Sequence, residues 1–381
     1  MANKIYERKI SWLELFFDLV FVAAAHQLAT ILQQSPSITH SLSYILLTLP
    51  ILWVWVGHTM FSNRFEKMTP FYAIVTVLKM ASVIGLVISL PFAFSQYTVG
   101  FALSYAFARF CLVALYVHAM LEYKSLPPHL VIVVSAFSIS ALLWFISAFV
   151  PGTIYIWILA FSIDFFVPIF THQSLSSISS QSTHLPERLG LLTVIMLGEM
   201  IISTTASTFE KVLTVDLVIL VITGLLFITV ISWKYFRFNE DCLKHESAHP
   251  LGLLFLYAHI PLFVGLICIA SGFKGIISGT NTTWLISIGL LLFIFSFQSI
   301  TYIHKKSLTK IILTLLFLPL IFLFPFFTQA IIFNVILVTL LTSLYLIGIQ
   351  FTGNRQYQKK VSQKKQNYVS RKEKNLLIFD S

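Results

Sequence analysis

Long apolar runs alternate with short polar breaks along this chain, and no stretch shows the period-two alternation of a half-buried strand. Crossing a bilayer takes about 20 mostly apolar residues in a helix. Segments that qualify lie near 11–32, 42–61, 71–94, 100–121, 129–149, 153–170, 188–209, 215–236, 251–272, 283–303, 309–326 and 329–350. Pro36, Pro127-Pro128, Pro151-Gly152 and Pro250 mark breaks between them. The pattern predicts an all-α integral membrane protein of about 12 transmembrane helices. The turns are shortest within 129–170 and 309–350.

Basic residues give an independent check, because cytoplasmic loops collect Lys and Arg. With twelve spans and a cytoplasmic N-terminus, the outer loops hold Lys211 and Lys274 alone, and Lys79 and Arg109 fall inside spans. All the other Lys and Arg residues, Arg188 among them, then sit on the cytoplasmic side. Both termini are therefore expected in the cytoplasm. The tail from Gly353 carries Lys359-Lys360, Lys364-Lys365 and Arg371-Lys372. It reads as a solvated basic terminus, or as one touching anionic membrane lipids.

The chain also resembles itself at a displacement of 180 positions. Glu7-Arg8 falls on Glu187-Arg188, Arg64 on Lys244, Pro70 on Pro250, Gly85-Leu86 on Gly265-Leu266, and Lys79 on His259. This shift moves six spans onto six spans. An even number keeps the orientation, so the expectation is two parallel six-helix repeats at 1–180 and 181–352, with the basic tail at 353–381.

Composition narrows the function classes. Charged residues make up 10% of the 381 residues, against about 25% in an average soluble domain. The net charge of +10 is spread over helix ends and the tail, which does not make a nucleic-acid face. Cys111, Cys242 and Cys268 form no CxxC, and neither a disulfide framework nor a zinc site is expected. Lys4, Arg8 and Lys9 before an apolar run ending near Ala23–Ala25 imitate a cleaved signal, but Glu14 and Asp18 interrupt its core. No GxSxG, Walker loop, GxGxxG or HExxH occurs, so neither an enzyme nor a metal or cofactor is expected.

Candidate chemistry therefore lies in the intramembrane charges, which are expensive and normally face partners or a wet cavity. They are Glu14, Asp18, Lys79, Arg109, Asp164, Glu199 and His259, with His26, His58 and His118 nearby. Glu14 and Asp18, four apart, share a helix face. The repeat suggests a rule: an acid on the first helix of each half meets a base on its third, Asp18 with Lys79 and Glu199 with His259. Glu14, Asp18, Lys79, Arg109, Glu199 and His259 then form a polar transport site, or alternatively an interhelical lock that fixes register. Pro168, Pro261, Pro319 and Pro325 predict kinks or helix breaks inside spans.

Four stretches carry a family resemblance. They are Ser11-Trp12-Leu13-Glu14-Leu15-Phe16-Phe17-Asp18-Leu19-Val20-Phe21-Val22, Asn63-Arg64-Phe65, Glu187-Arg188-Leu189-Gly190 through Leu197-Gly198-Glu199, and Tyr257-Ala258-His259-Ile260-Pro261-Leu262 with Gly265. Together they resemble the bacterial low temperature requirement A family over residues 8–350. The resemblance implies a polytopic protein of the bacterial inner membrane, in a family named for growth in the cold and with no substrate attached to that name. An Asp-rich run expected after Phe65 is replaced here by Glu66-Lys67-Met68, which argues against an acidic site in that loop. Phe17-Asp18 with Phe21 is also similar to the Phe-Ser-Asp motif of endolysosomal potassium channels, with Phe in place of Ser. The expectation from sequence is a transporter or channel for a small ion or solute. Its alternatives are a non-transporting component that supports cold growth through lipids or partner proteins, and a membrane-embedded enzyme. The oligomeric state is left open.

Overall fold

The computed structural model describes residues 10–305 and 333–345, apart from short breaks at 36, 66–68, 96–97, 124–126, 151–152, 176–183, 210 and 245–251. These residues form long helices in chain order: α1 (Trp12–Gln33), α2 (Ile38–Ser62), α3 (Pro70–Ser89), α4 (Val99–Glu122), α5 (Leu130–Ser147), α6 (Thr153–Leu175), α7 (His184–Ala206), α8 (Val215–Lys244), α9 (Gly252–Ser278) and α10 (Thr283–Lys305). All 10 are long and apolar enough to cross a membrane. A shorter apolar helix, α11, runs Phe333–Tyr345. The chain is a multi-pass membrane protein. The predicted span 309–326 and the basic tail at 353–381 lie outside the described residues, as do the parts of 329–350 on either side of α11.

Local chemistry sets the helix starts. Ser11 and Glu14 form a capping box: the Glu14 N–H donates to Ser11 Oγ at 3.2 Å, and the Ser11 N–H donates to Glu14 Oε2 at 2.9 Å. Ser37 and Thr69 cap α2 and α3 through their hydroxyls, and Pro70 follows Thr69 where its missing N–H costs nothing. Gly279 ends α9 with φ of 92°, a conformation that penalises any Cβ.

The burial pattern is inverted relative to a soluble bundle. Leu19, Ile74, Ile88, Val131, Ile158 and Phe295 are exposed, whereas Asp18, Lys79, Arg109, Asp164, Arg188, Glu199 and His259 are all at most 1% exposed. Apolar side chains facing outward and charges facing inward require hydrocarbon as the surrounding solvent. In the interior, α9 packs against α1, α2, α6, α7, α8 and α10, and α1 against α2, α3, α7 and α9. Helices α9 and α10 approach most closely through Gly265 and Gly289. A Cβ at either would fall 2.6 or 2.5 Å from the carbonyl oxygen of the other, the close backbone contact that small residues permit in membranes.

Pro168 and Pro261 do not end their helices: α6 continues through the first and α9 through the second. Pro168 has no N–H for the Asp164 carbonyl one turn earlier, and Trp53 Nε1 donates to that oxygen instead at 3.0 Å. The Tyr257 hydroxyl takes the neighbouring Phe165 carbonyl at 2.6 Å. Pro319 and Pro325 lie outside the described residues.

Candidate functional site: the α1–α7 seam

Helices α1 and α7 lie side by side and run parallel, because their contacts climb both helices in the same order. Glu14 faces His184, with Nε2 3.7 Å from Oε1. One turn on, Asp18 meets Arg188 through two guanidinium nitrogens, Nη2 to Oδ1 and Nε to Oδ2, the latter at 3.3 Å. Near the far end, His26 Nδ1 lies 3.0 Å from Glu199 Oε1. At about 1.5 Å per residue, the seam covers about 18 Å between Glu14 and His26.

Each contact is completed by other helices. Trp55 Nε1 on α2 donates to Asp18 Oδ1 at 2.7 Å, and Arg188 Nη1 donates to Ser62 Oγ at 2.9 Å. The guanidinium also sits 5.5 Å from the Trp55 ring centre. Asp18 and Arg188 are therefore locked together with the end of α2. At the far end, Ser203 Oγ donates to Glu199 Oε1 at 2.6 Å. Lys274 on α9 donates to Thr30 at 2.6 Å and lies close enough to feel the Glu199 carboxylate. His26 keeps 44% of its side chain exposed, while Glu199 is at 1%. Between these two polar levels the helices bury apolar side chains, including Phe21 and Ala25 on α1 and Leu192 and Met196 on α7.

A second cluster lies within the first half. Arg109 Nη2 donates to Asp164 Oδ1 at 2.5 Å, and the Tyr105 hydroxyl donates to Oδ2 at 3.0 Å. The Arg109 guanidinium stacks 4.5 Å from the Phe137 ring centre. His118 Nε2 lies 3.9 Å from Glu122 Oε2 one turn on in α4, and two His–Tyr contacts join neighbouring helices. Tyr72 Oη is 3.3 Å from His58 Nε2, and Tyr235 Oη is 3.3 Å from His259 Nε2.

The expected acid–base rule is overturned. Asp18 does not pair with Lys79, because Arg188 and Trp55 hold its carboxylate. Lys79 instead lies over the Phe17 ring, with Nζ 5.9 Å from its centre. Glu199 does not pair with His259, because the two sit at different depths: Glu199 is near the end of α7, while His259 is in the second turn of α9. His259 directs Nδ1 to the Phe255 carbonyl at 2.7 Å and Nε2 to Tyr235. Arg109 does have an acid, Asp164, which the sequence reading placed in the membrane without a partner. Of the six expected site residues, the seam gathers Glu14, Asp18 and Glu199; Lys79, Arg109 and His259 lie elsewhere. Glu14 is also spent partly on capping α1.

Arg188 is the residue that sequence reading misplaced. It looks like a loop cation because the unbroken apolar run begins at Leu189, yet α7 starts at His184 and buries Arg188 completely. Pro186, a residue at home in a first helical turn, is the signal that the helix begins earlier. Trp55, Ser62 and His184 carry no motif at all. Cys111 and Cys268 are buried thiols, and no group of three His, Cys, Asp or Glu able to hold a metal occurs among the described residues.

Comparison with known proteins gives one broad match. The family model described as bacterial low temperature requirement A protein (LtrA) matches residues 9–348. A relative from Rhizobium meliloti (strain 1021), described as uncharacterized protein RA0937, is 26% identical over 292 residues, covering 70% of this chain and 69% of the relative. No solved structure matches.

Proposed function

The chain belongs to the bacterial low temperature requirement A family, and from that premise we propose that it transports or conducts a small ion or solute across the bacterial inner membrane. The α1–α7 seam carries this reading. Three acid–base contacts at two depths join two parallel helices in a medium where each charge is costly. A half-exposed His26 stands at one end of the seam, and an apolar stretch separates the two levels. Groups that exchange partners along such a seam could pass an ion from level to level without an open pore, and nothing in the reading calls for catalysis.

We assign the topology as twelve spans with both termini cytoplasmic, built from two parallel six-helix repeats. Helix limits support the repeat. A shift of 180 carries Ile38–Ser62 to 218–242, within α8, and brings Pro70–Ser89 and Val99–Glu122 onto 250–269 and 279–302, over most of α9 and α10. Gly85 and Gly265 occupy matching places: a Cβ at Gly85 would meet Ser104 on α4 at 2.5 Å, as one at Gly265 would meet Gly289 on α10. Each half also sets a His–Tyr contact between its second and third helices. The first helices depart from the register, since α7 begins at 184 where the shift of α1 gives 192.

A second reading has its own observation. The carboxylates of Asp18 and Glu199 already hold donors from the protein, which suits a fixed lock in a non-transporting protein that supports cold growth through lipids or partner proteins. Flux through proteoliposomes separates the two. Transport predicts that His26→Gln and Glu199→Gln, in correctly folded protein, abolish or strongly slow flux. A lock predicts that no gradient drives flux in any variant.

A further inference from the structure

A small cavity of about 20 Å³ lies where α2 ends, α3 begins and α4 ends. Its walls are mostly aromatic. Phe61 lies 4.9 Å from Phe65 and 6.2 Å from Tyr72, and Phe65 lies 5.8 Å from Tyr123, centre to centre. His118 and Glu122, one turn apart on α4, also line it. The Nε2 atom of His118 is buried and has no hydrogen-bond partner among the described residues. Its 3.9 Å distance to Glu122 Oε2 is too long for a direct hydrogen bond. That spacing suits two acceptors that share one donor, since a single nitrogen can stand about 2.8 Å from each.

The charge around the cavity favours a cation. Glu122 closes α4, whose last turn carries no basic residue, and a helix C-terminus already bears negative partial charge. Arg64, next to Phe65 in the chain, does not serve the carboxylate but donates to the Met60 carbonyl at 3.1 Å. Aromatic walls suit the same sign of charge. Size narrows the choice further. A hollow that admits about one water-sized group takes an –NH3+ head and excludes a trimethylammonium. The mouth opens at the edge of the apolar belt. Leu121 is 80% exposed, and Phe71, whose ring centre is 4.4 Å from that of His118, is 39% exposed. His118 and Glu122 themselves stay about a third exposed, at 31% and 32%. In the orientation assigned above, this edge faces the cytoplasmic leaflet.

We propose that the ammonium group of an ethanolamine phospholipid docks between His118 and Glu122 at this corner of α2, α3 and α4. The ammonium donates to Glu122 Oε2 and to His118 Nε2, with the imidazole neutral and its proton on Nδ1. The phosphate and glycerol of the lipid stay outside the cavity, in the head-group layer, and its acyl chains run along Leu121 and Phe71. The site is separate from the α1–α7 seam, and binding there does not require that anything be transported.

The test uses the full chain, purified in detergent and stripped of lipid, without a gradient, so its outcome is independent of flux. Dioleoyl phosphatidylethanolamine and dioleoyl phosphatidylcholine, which share tails and phosphate, are titrated separately, and bound lipid is counted by native mass spectrometry. The expected result is one site that prefers the ethanolamine lipid by about tenfold or more, the worth of one charge-assisted contact. Glu122→Gln should lower the affinity for the ethanolamine lipid to that for the choline lipid and leave the latter unchanged. His118→Phe, which removes the other acceptor, should do the same. Without lipid, Glu122→Gln should melt no lower than the wild type, because it removes an acid from the negative end of a helix. Glycerophosphoethanolamine, the head group without tails, should bind far more weakly than the lipid. Binding of that soluble amine as tightly as the lipid would overturn the membrane source. Equal affinity for the two lipids, or a preference that Glu122→Gln leaves intact, would overturn the site.

Discussion

At the scale of single residues, the account turns on Arg188. Its guanidinium bridges Asp18 on α1 and Ser62 at the end of α2, and in its immediate sequence Pro186 is the signal that it lies inside a helix. Removing one partner of a buried ion pair costs about 3–5 kcal/mol, because the remaining charge is stranded. Arg188→Met should therefore unfold at a much lower temperature than the wild type, as read by thermal melting in detergent. The double variant Arg188→Met with Asp18→Leu, which removes both charges, should recover most of that loss. Equal destabilisation in the single and double variants would show that packing around Trp55, not the stranded charge, dominates. Asp18 was legible as a buried charge because a carboxylate in an apolar run announces itself. Its partner was not, because an arginine at the border of an apolar run looks the same whether the helix begins before it or after it.

At the scale of elements, α9 is held by backbone proximity and α1 by charge. Gly265 and Gly289 let α9 and α10 touch main chain to main chain, and a valine at either position meets the opposing carbonyl. Gly289→Val should cost about 1–3 kcal/mol, the usual penalty for overpacking, and a cysteine pair placed across α9 and α10 should cross-link more slowly in that variant. Unchanged melting and cross-linking would mean that the two helices are not in this close contact. Helix existence was readable throughout, since apolar length alone locates a span, and the first ten predicted spans each overlap one of α1 to α10. Partnership between helices was not. The expected pairs followed the 180-residue repeat and stayed within each half, whereas the seam contacts join residues 170 to 173 apart and cross between halves, and the one ion pair inside a half, Arg109 with Asp164, was not among those expected. A repeat reports which helices are equivalent; it does not report which helices touch.

For the whole molecule, the proposed orientation rests on the placement of Lys and Arg. Cysteine at Leu213, an 80% exposed position between α7 and α8, should react with a membrane-impermeant thiol reagent on intact cells. Cysteine at His129, exposed just before α5, should react only after the membrane is opened. The buried native thiols Cys111 and Cys268 should stay silent in both conditions. The reverse pattern would invert the orientation and place His26 on the cytoplasmic side. With the assigned orientation, the seam rises from Glu14 and Asp18 near the cytoplasm to His26 and Glu199 near the outer face, and its apolar middle is where movement between the helices would open or close a path. The most direct test is ion flux in proteoliposomes under potassium, sodium and proton gradients, with the wild type beside Asp18→Asn. The account predicts flux in at least one gradient for the wild type and its loss in the folded variant. Equal flux in both would remove Asp18 and the seam from the pathway, and no flux under any gradient would contradict ion transport altogether.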